Sequence, residues 1–169
     1  VMFRCLVRGW YWVLILFPFS AAEALEITIT QGVEGAQPIA IAPFVGNAQS
    51  QGKKVEQIVA NDLQRSGLFS LLATSRFPQT PNSAEQVNYA AWNKTGTEAL
   101  LIGSVIQVGA DHYRIEFQLF DILGKKRALG QAITVSNASL RKAAHAISDA
   151  MYEYLTGEPG AFSTRIAYI

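Results

Sequence analysis

The side chains best suited to acid–base or metal chemistry in this sequence are two histidines and one cysteine. His112 opens a predicted strand beside a turn. His145 lies in a predicted helix, four residues before Asp149, so the two share a helix face. An acid–base pair or half of a metal site would use that spacing. A third ligand is missing, because no cysteine or second histidine lies near the pair. Cys5 is far away, between Arg4 and Arg8 in the basic head of the chain. No Gly-x-Ser-x-Gly elbow supplies a nucleophile, and no phosphate loop or dinucleotide fingerprint occurs. The expected role of His145 is therefore a structural hydrogen bond to Asp149. No catalytic residue, metal ligand, cofactor or small-molecule substrate is predicted.

The elements that would position these residues follow from periodicity. Leu25, Ile27 and Ile29 alternate with Glu26, Thr28 and Thr30, the period of a half-buried strand. Pro38 to Phe44 is apolar on both faces and reads as a central strand. A polar loop spans Gly46 to Gly52. A helix is predicted over Lys53 to Ser66, with Val55, Ile58, Val59, Asp62 and Leu63 along its inner stripe; Gly67 stops it. Leu68 to Leu72 is a short strand. Ser83 and Gln86 have capping-box spacing, which predicts a short helix from Ser83 to about Lys94. Thr97 to Val108 is a buried strand, and Gly103 within it marks a bulge or a close approach. A turn at Gly109-Ala110-Asp111 leads to His112–Leu123, where Tyr113, Ile115, Phe117 and Leu119 share a face. After Gly124-Lys125 comes a strand over Ala128 to Val135. Ser139 then opens a long helix to Thr156, with Leu140, Ala143, Ala144, Ile147, Met151, Tyr154 and Leu155 inward. The predicted fold is α/β: a mixed β-sheet with about three helices packed on it.

The start of the chain reads as an export signal. Arg4 and Arg8 precede an apolar run from Trp10 to Phe19, followed by the small residues Ala22 and Ala24. Ala22 and Ala24 are the small residues a signal peptidase needs, which predicts cleavage after Ala24, and the run falls short of the ~20 residues needed to anchor across a bilayer. The mature chain then has neither disulfide nor thiol. The whole sequence carries 14 basic and 13 acidic residues. Setting aside Arg4, Arg8 and Glu23 leaves equal numbers, and so balanced a surface argues against nucleic acid as a partner.

At the other end, Gly157 and Pro159 terminate the last helix. Phe162, Thr164, Ile166 and Tyr168 then alternate like an edge strand, predicted to be the first strand of a further domain that the sequence does not include.

Several strings together resemble one family. They are Gly32-Val33-Glu34-Gly35 before Pro38–Phe44, then Val59-Ala60-Asn61-Asp62-Leu63-Gln64-Arg65-Ser66-Gly67-Leu68-Phe69, then Ala90-Ala91-Trp92 and Gln118-Leu119-Phe120-Asp121. Leu155-Thr156-Gly157 and Gly160–Tyr168 complete the set. In their order they resemble the TolB family of the Tol–Pal system of Gram-negative bacteria. The resemblance implies a signal peptide at 1–24, a flexible partner-binding segment at 25–36 and an α/β domain at 37–158. Residues 159–169 would be the linker and first strand of a β-propeller.

The resemblance also implies a role. The protein would be a periplasmic component linking TolA and Pal, with Pal held mainly by the propeller, and would support outer-membrane invagination at division and envelope integrity. TolA would be contacted by Leu25, Glu26, Ile27, Thr28, Ile29, Thr30, Gln31, Gly32 and Val33. Ordering about eight such residues costs, and burying three apolar side chains with strand hydrogen bonds returns, energies of similar size, on the order of 10 kcal/mol. By pattern alone the segment is an ordinary edge strand. The competing function is a free-standing exported α/β interaction module of another envelope assembly system.

Overall fold

A computed structural model describes residues 35–164. The predicted signal at 1–24, the strand at Leu25–Thr30 and the chain beyond Thr164 lie outside the described residues. Strand β1 is Gln37–Ile41, helix α1 Gln49–Arg65 and strand β2 Phe69–Leu71. Short helix α2 is Tyr89–Asn93, followed by β3 Ala99–Gln107, β4 His112–Asp121, β5 Lys126–Ser136 and α3 Leu140–Thr156. The five-stranded sheet has the order β2-β1-β3-β4-β5. β1 pairs in parallel with both β2 and β3, while β3, β4 and β5 form an antiparallel meander.

The core has a layer on each face of this sheet. Val55, Val59 and Leu63 of α1 and Ala144, Ile147 and Met151 of α3 pack against Ile39, Leu101, Ile115 and Phe117. On the opposite face Ala40, Leu100, Ile102 and Phe120 meet Val87 and Trp92, so α2 and its flanking chain form the second layer. The connections dictate this division. From β1 the chain steps outward through α1 to β2, then steps back across β1 through α2 to β3. Right-handed crossovers taken in opposite directions place their helices on opposite faces. The alternation expected in β4 is present: Tyr113, Ile115, Phe117 and Leu119 are buried and Arg114 is exposed.

Local departures from the sequence reading have physical causes. Helix α1 starts at Gln49, so the expected loop to Gly52 is already helical. Gly52 is buried there because its Cα side lies against Phe44, where an added Cβ would sit 3.4 Å from the Phe44 Cβ. The expected helix from Ser83 is two pieces: a 3₁₀ turn at Ala84–Gln86 and then α2, capped by Asn88 Oδ1 accepting the Ala91 N–H at 3.1 Å. Ser83 makes no side-chain cap, although Gln86 Oε1 does reach back to the Asn82 N–H at 3.0 Å. Tyr154, expected inward, lies on the flank of α3 and is 39% exposed. Phe162 and Ser163 form a turn rather than an extended strand.

Gly103 marks a close approach; the bulge lies elsewhere, between the Leu119–Leu129 and Phe120–Arg127 pairs of β4 and β5. A Cβ on Gly103 would fall 2.5 Å from two ring carbons of Phe44. Gly103→Ala is therefore expected to cost about 1–3 kcal/mol by overpacking. Urea unfolding of Gly103→Ala, Phe44→Leu and the double variant checks this: the double variant should lose less than the two single losses combined. Strict additivity would show that the ring and the glycine do not share this space.

Candidate functional site

The predicted partner-binding residues Leu25 to Val33, and the cleavage residues Ala22 and Ala24, lie outside the described residues. The described chain begins at Gly35. Gly35 and Ala36 lead into β1 beside a shallow groove lined by Gln64, Gly67, Phe69 and Leu71. One wall of that groove is β2, which is paired with β1 along one side and, among the described residues, forms the outer edge of the sheet along the other.

The chemistry-bearing residues gather elsewhere, at the seam between α1 and α3. His145 Nδ1 lies 2.7 Å from Asp62 Oδ2, and the Ser148 hydroxyl lies 2.9 Å from the same oxygen. The Ser148 Oγ is also 3.2 Å from the Ala144 carbonyl. Asp62 is buried, at 5% exposure. The expected His145–Asp149 bond is thus replaced by a bond across the seam. The sequence carried a signal for it: Asp62 falls on the apolar stripe of its helix, and a carboxylate buried there needs partners. Serine, histidine and aspartate meet here without forming a nucleophilic triad, because Ser148 and His145 both address the carboxylate instead of each other. What this arrangement does is pin two helices together.

Asp149 faces a different flank and accepts the backbone N–H groups of Phe162 and Ser163. His112, at the start of β4, is exposed. Among the described residues, no group of three or more His, Cys, Asp or Glu could hold a metal ion. Nor is any described helix long and apolar enough to cross a membrane.

Open sheets with crossovers on both faces hold ligands in the crevice beyond the strand ends, where the winding reverses. Here that position, between the ends of β1 and β3, is filled by the protein's own chain. The Val45 N–H bonds the Gly103 carbonyl at 3.0 Å and the Val45 carbonyl accepts the Val105 N–H at 2.8 Å. Asn47 Oδ1 accepts the Gln107 N–H at 2.8 Å. Gly46 has φ +124°, and a Cβ on it would fall 2.1 Å from the Val105 carbonyl oxygen. Behind this plug, Glu56 accepts the Phe44 N–H at 3.4 Å. Burial raises the Glu56 carboxyl above its ordinary value of 4.5, against the opposing pulls of the Phe44 N–H and the Lys53 charge.

The sequence profile of the TolB amino-terminal domain matches residues 25–128. The chain belongs to that family. It is 41% identical over 166 residues to the Tol-Pal system protein TolB of Thioalkalivibrio sulfidiphilus, an alignment covering 97% of this chain and 38% of the relative. Against the Tol-Pal system protein TolB of Haemophilus influenzae it is 44% identical over 154 residues, covering 88% of this chain and 35% of the relative. The crystal structure of TolB from Acinetobacter baumannii superposes with a TM-score of 0.66 at 31% identity, over 76% of this chain and 30% of that one. This TolB-family chain thus spans little more than a third of the length of the curated relatives it matches.

Two measurements test the site. His145→Ala leaves Asp62 with Ser148 as its remaining side-chain partner and should cost about 1–3 kcal/mol in urea unfolding. In the NMR spectrum, Asp62→Asn should shift the His145 ring resonances while Asp149→Asn leaves them in place; the reverse result would restore the within-helix pairing. Glu56 gives a pH dependence of defined sign. Its folded pKa lies above its unfolded value, so its stabilising contribution is complete below about 4.5 and is lost as pH rises through the folded value. Glu56→Gln should remove this group's contribution and so make the change of melting temperature with rising pH more positive across that window, and an unchanged slope would refute the assignment.

Proposed function

We propose that this chain is the partner-recruiting amino-terminal part of a periplasmic Tol–Pal component. Its segment Leu25–Val33 docks on TolA. A β-propeller of the kind the resemblance implies binds Pal, and together the two parts link TolA and Pal. That link would support outer-membrane invagination during division and keep the envelope intact. The periplasmic location rests on the export signal read at 1–24.

The observation that carries this reading is the family match, which begins at Leu25 and so takes in the whole segment. Physical support comes from the sequence pattern and from the described domain. By their alternation Leu25, Ile27 and Ile29 would share one apolar face in an extended segment, the pattern that suits adding a strand to an exposed sheet edge. The plug at Phe44–Ala48 fills the position where this class of sheet holds small ligands, which favours a protein as the ligand.

The test is binding of purified TolA to the chain beginning at Leu25, to one beginning at Gly32, and to Ile27→Asp and Ile29→Asp variants, with circular dichroism to follow folding. The expected outcome is capture by the first alone, with all four folded. Equal TolA affinity across the set would remove the segment from the mechanism.

A further inference from the structure

The chain leaving α3 does not trail away. Gly157 ends the helix in the left-handed region at φ 78°, its N–H bonded to the Glu153 carbonyl at 2.8 Å. The next residues then turn back along the helix to Asp149, seven positions before Thr156, which is a return of roughly 10 Å at about 1.5 Å per residue. There the Asp149 carboxylate accepts two successive backbone N–H groups, Phe162 at 2.7 Å through Oδ1 and Ser163 at 3.1 Å through Oδ2. Bonds to an ionised acceptor are the stronger kind, and both oxygens are used. Gly160 lies so close to the helix that a Cβ would fall 2.5 Å from Asp149 Oδ1 and 2.6 Å from the Asp149 Cα. The Phe162 ring meets Tyr152 edge-on at 5.7 Å, and Tyr152 meets Phe69 of β2 at 6.0 Å. Thr164 closes the turn by donating its hydroxyl to the Ala161 carbonyl at 2.6 Å.

We propose that Asp149, Gly160 and the Tyr152–Phe162 ring pair form an exit clamp. The clamp makes the chain leave this domain from a fixed point beside the middle of α3, in a fixed direction. A following domain is then oriented against α3 and β2 by the joint itself and is not carried on a free tether. This consequence for a following domain rests on the two-part reading of the function; the clamp does not.

The clamp is tested on the chain itself by backbone relaxation and amide exchange. The order parameters of Phe162 and Ser163 should be about 0.8 or higher, as in rigid backbone. Asp149→Ala should bring them below about 0.6 and speed exchange of both amides by about tenfold or more, with Ile147 and Met151 still protected. Gly160→Val should do the same with the carboxylate intact. Low order parameters in the unaltered chain, or no response to either substitution, would overturn the clamp. If Asp149→Ala unfolds the domain, the unaltered chain and Gly160→Val still decide. A failure to bind TolA leaves this result untouched, so the two readings fail separately.

Discussion

Ile39 and Ala40 are neighbours in the sequence, point to opposite faces of the sheet, and are both fully buried. The rest of the structure depends on that requirement. A strand apolar on both faces cannot sit at an edge, because its backbone needs a ladder on each side. β2 and β3 supply the ladders. It also needs a covering layer above and below. One layer is α1 with α3, and the other is α2 with the chain around it. With β1 in the middle and a helix pair on one side, α3 must lie beside α1. That neighbour relation brings His145 and Ser148 to Asp62.

The same requirement shapes what the molecule can offer to others. Pulling Phe44 onto Gly103 and Val45 onto β3 extends the central pairing past the formal end of β1. It satisfies backbone groups that a ligand crevice would leave open, and it fills the crevice in doing so. The surfaces left for recognition are the outer edges of the sheet and the helix flanks. β2, the shorter edge among the described residues, lies beside Gly35, where the described chain begins. A short strand exposes few ladder groups, and so tolerates at little risk of aggregation an edge that no other described strand covers.

Much of this was legible in the sequence where the signal is local. The alternation of Tyr113, Ile115, Phe117 and Leu119 gave β4 its buried face, Gly157 gave α3 its end, and Gly103 gave a close approach. Legibility failed where the deciding contact is long-range. The start of α1 depends on Phe44 packing over Gly52. The splitting of the Ser83–Lys94 stretch depends on Val87 and Trp92 reaching the sheet. His145 had an aspartate four residues away, and the nearer partner in sequence looked sufficient; the actual partner is on another helix. The strand expected at Leu25–Thr30 rests on alternation and the partner proposed for it on resemblance, because alternation specifies a face and carries no information about what covers it.

Asp62 and Asp149 show how one side-chain chemistry is directed by geometry. Successive positions on an α-helix differ by about 100°, so Ser148 and Asp149 look out from different flanks of α3. Ser148 turns to α1, where Asp62 waits buried. Asp149 turns to the flank that α1 does not cover, and the free backbone N–H groups there belong to the chain that has just left the helix. Had His145 taken Asp149, as the spacing suggests, Asp62 would lie buried without its histidine and Asp149 would share its oxygens between the imidazole and the exit segment. With the cross-seam bond in place both carboxylates have donors, His145 and Ser148 for Asp62 and the Phe162 and Ser163 N–H groups for Asp149. A single helix is thereby fastened to its neighbour on one flank and holds the departing chain on the next, so that the packing of the core and the direction of the exit are set by the same element.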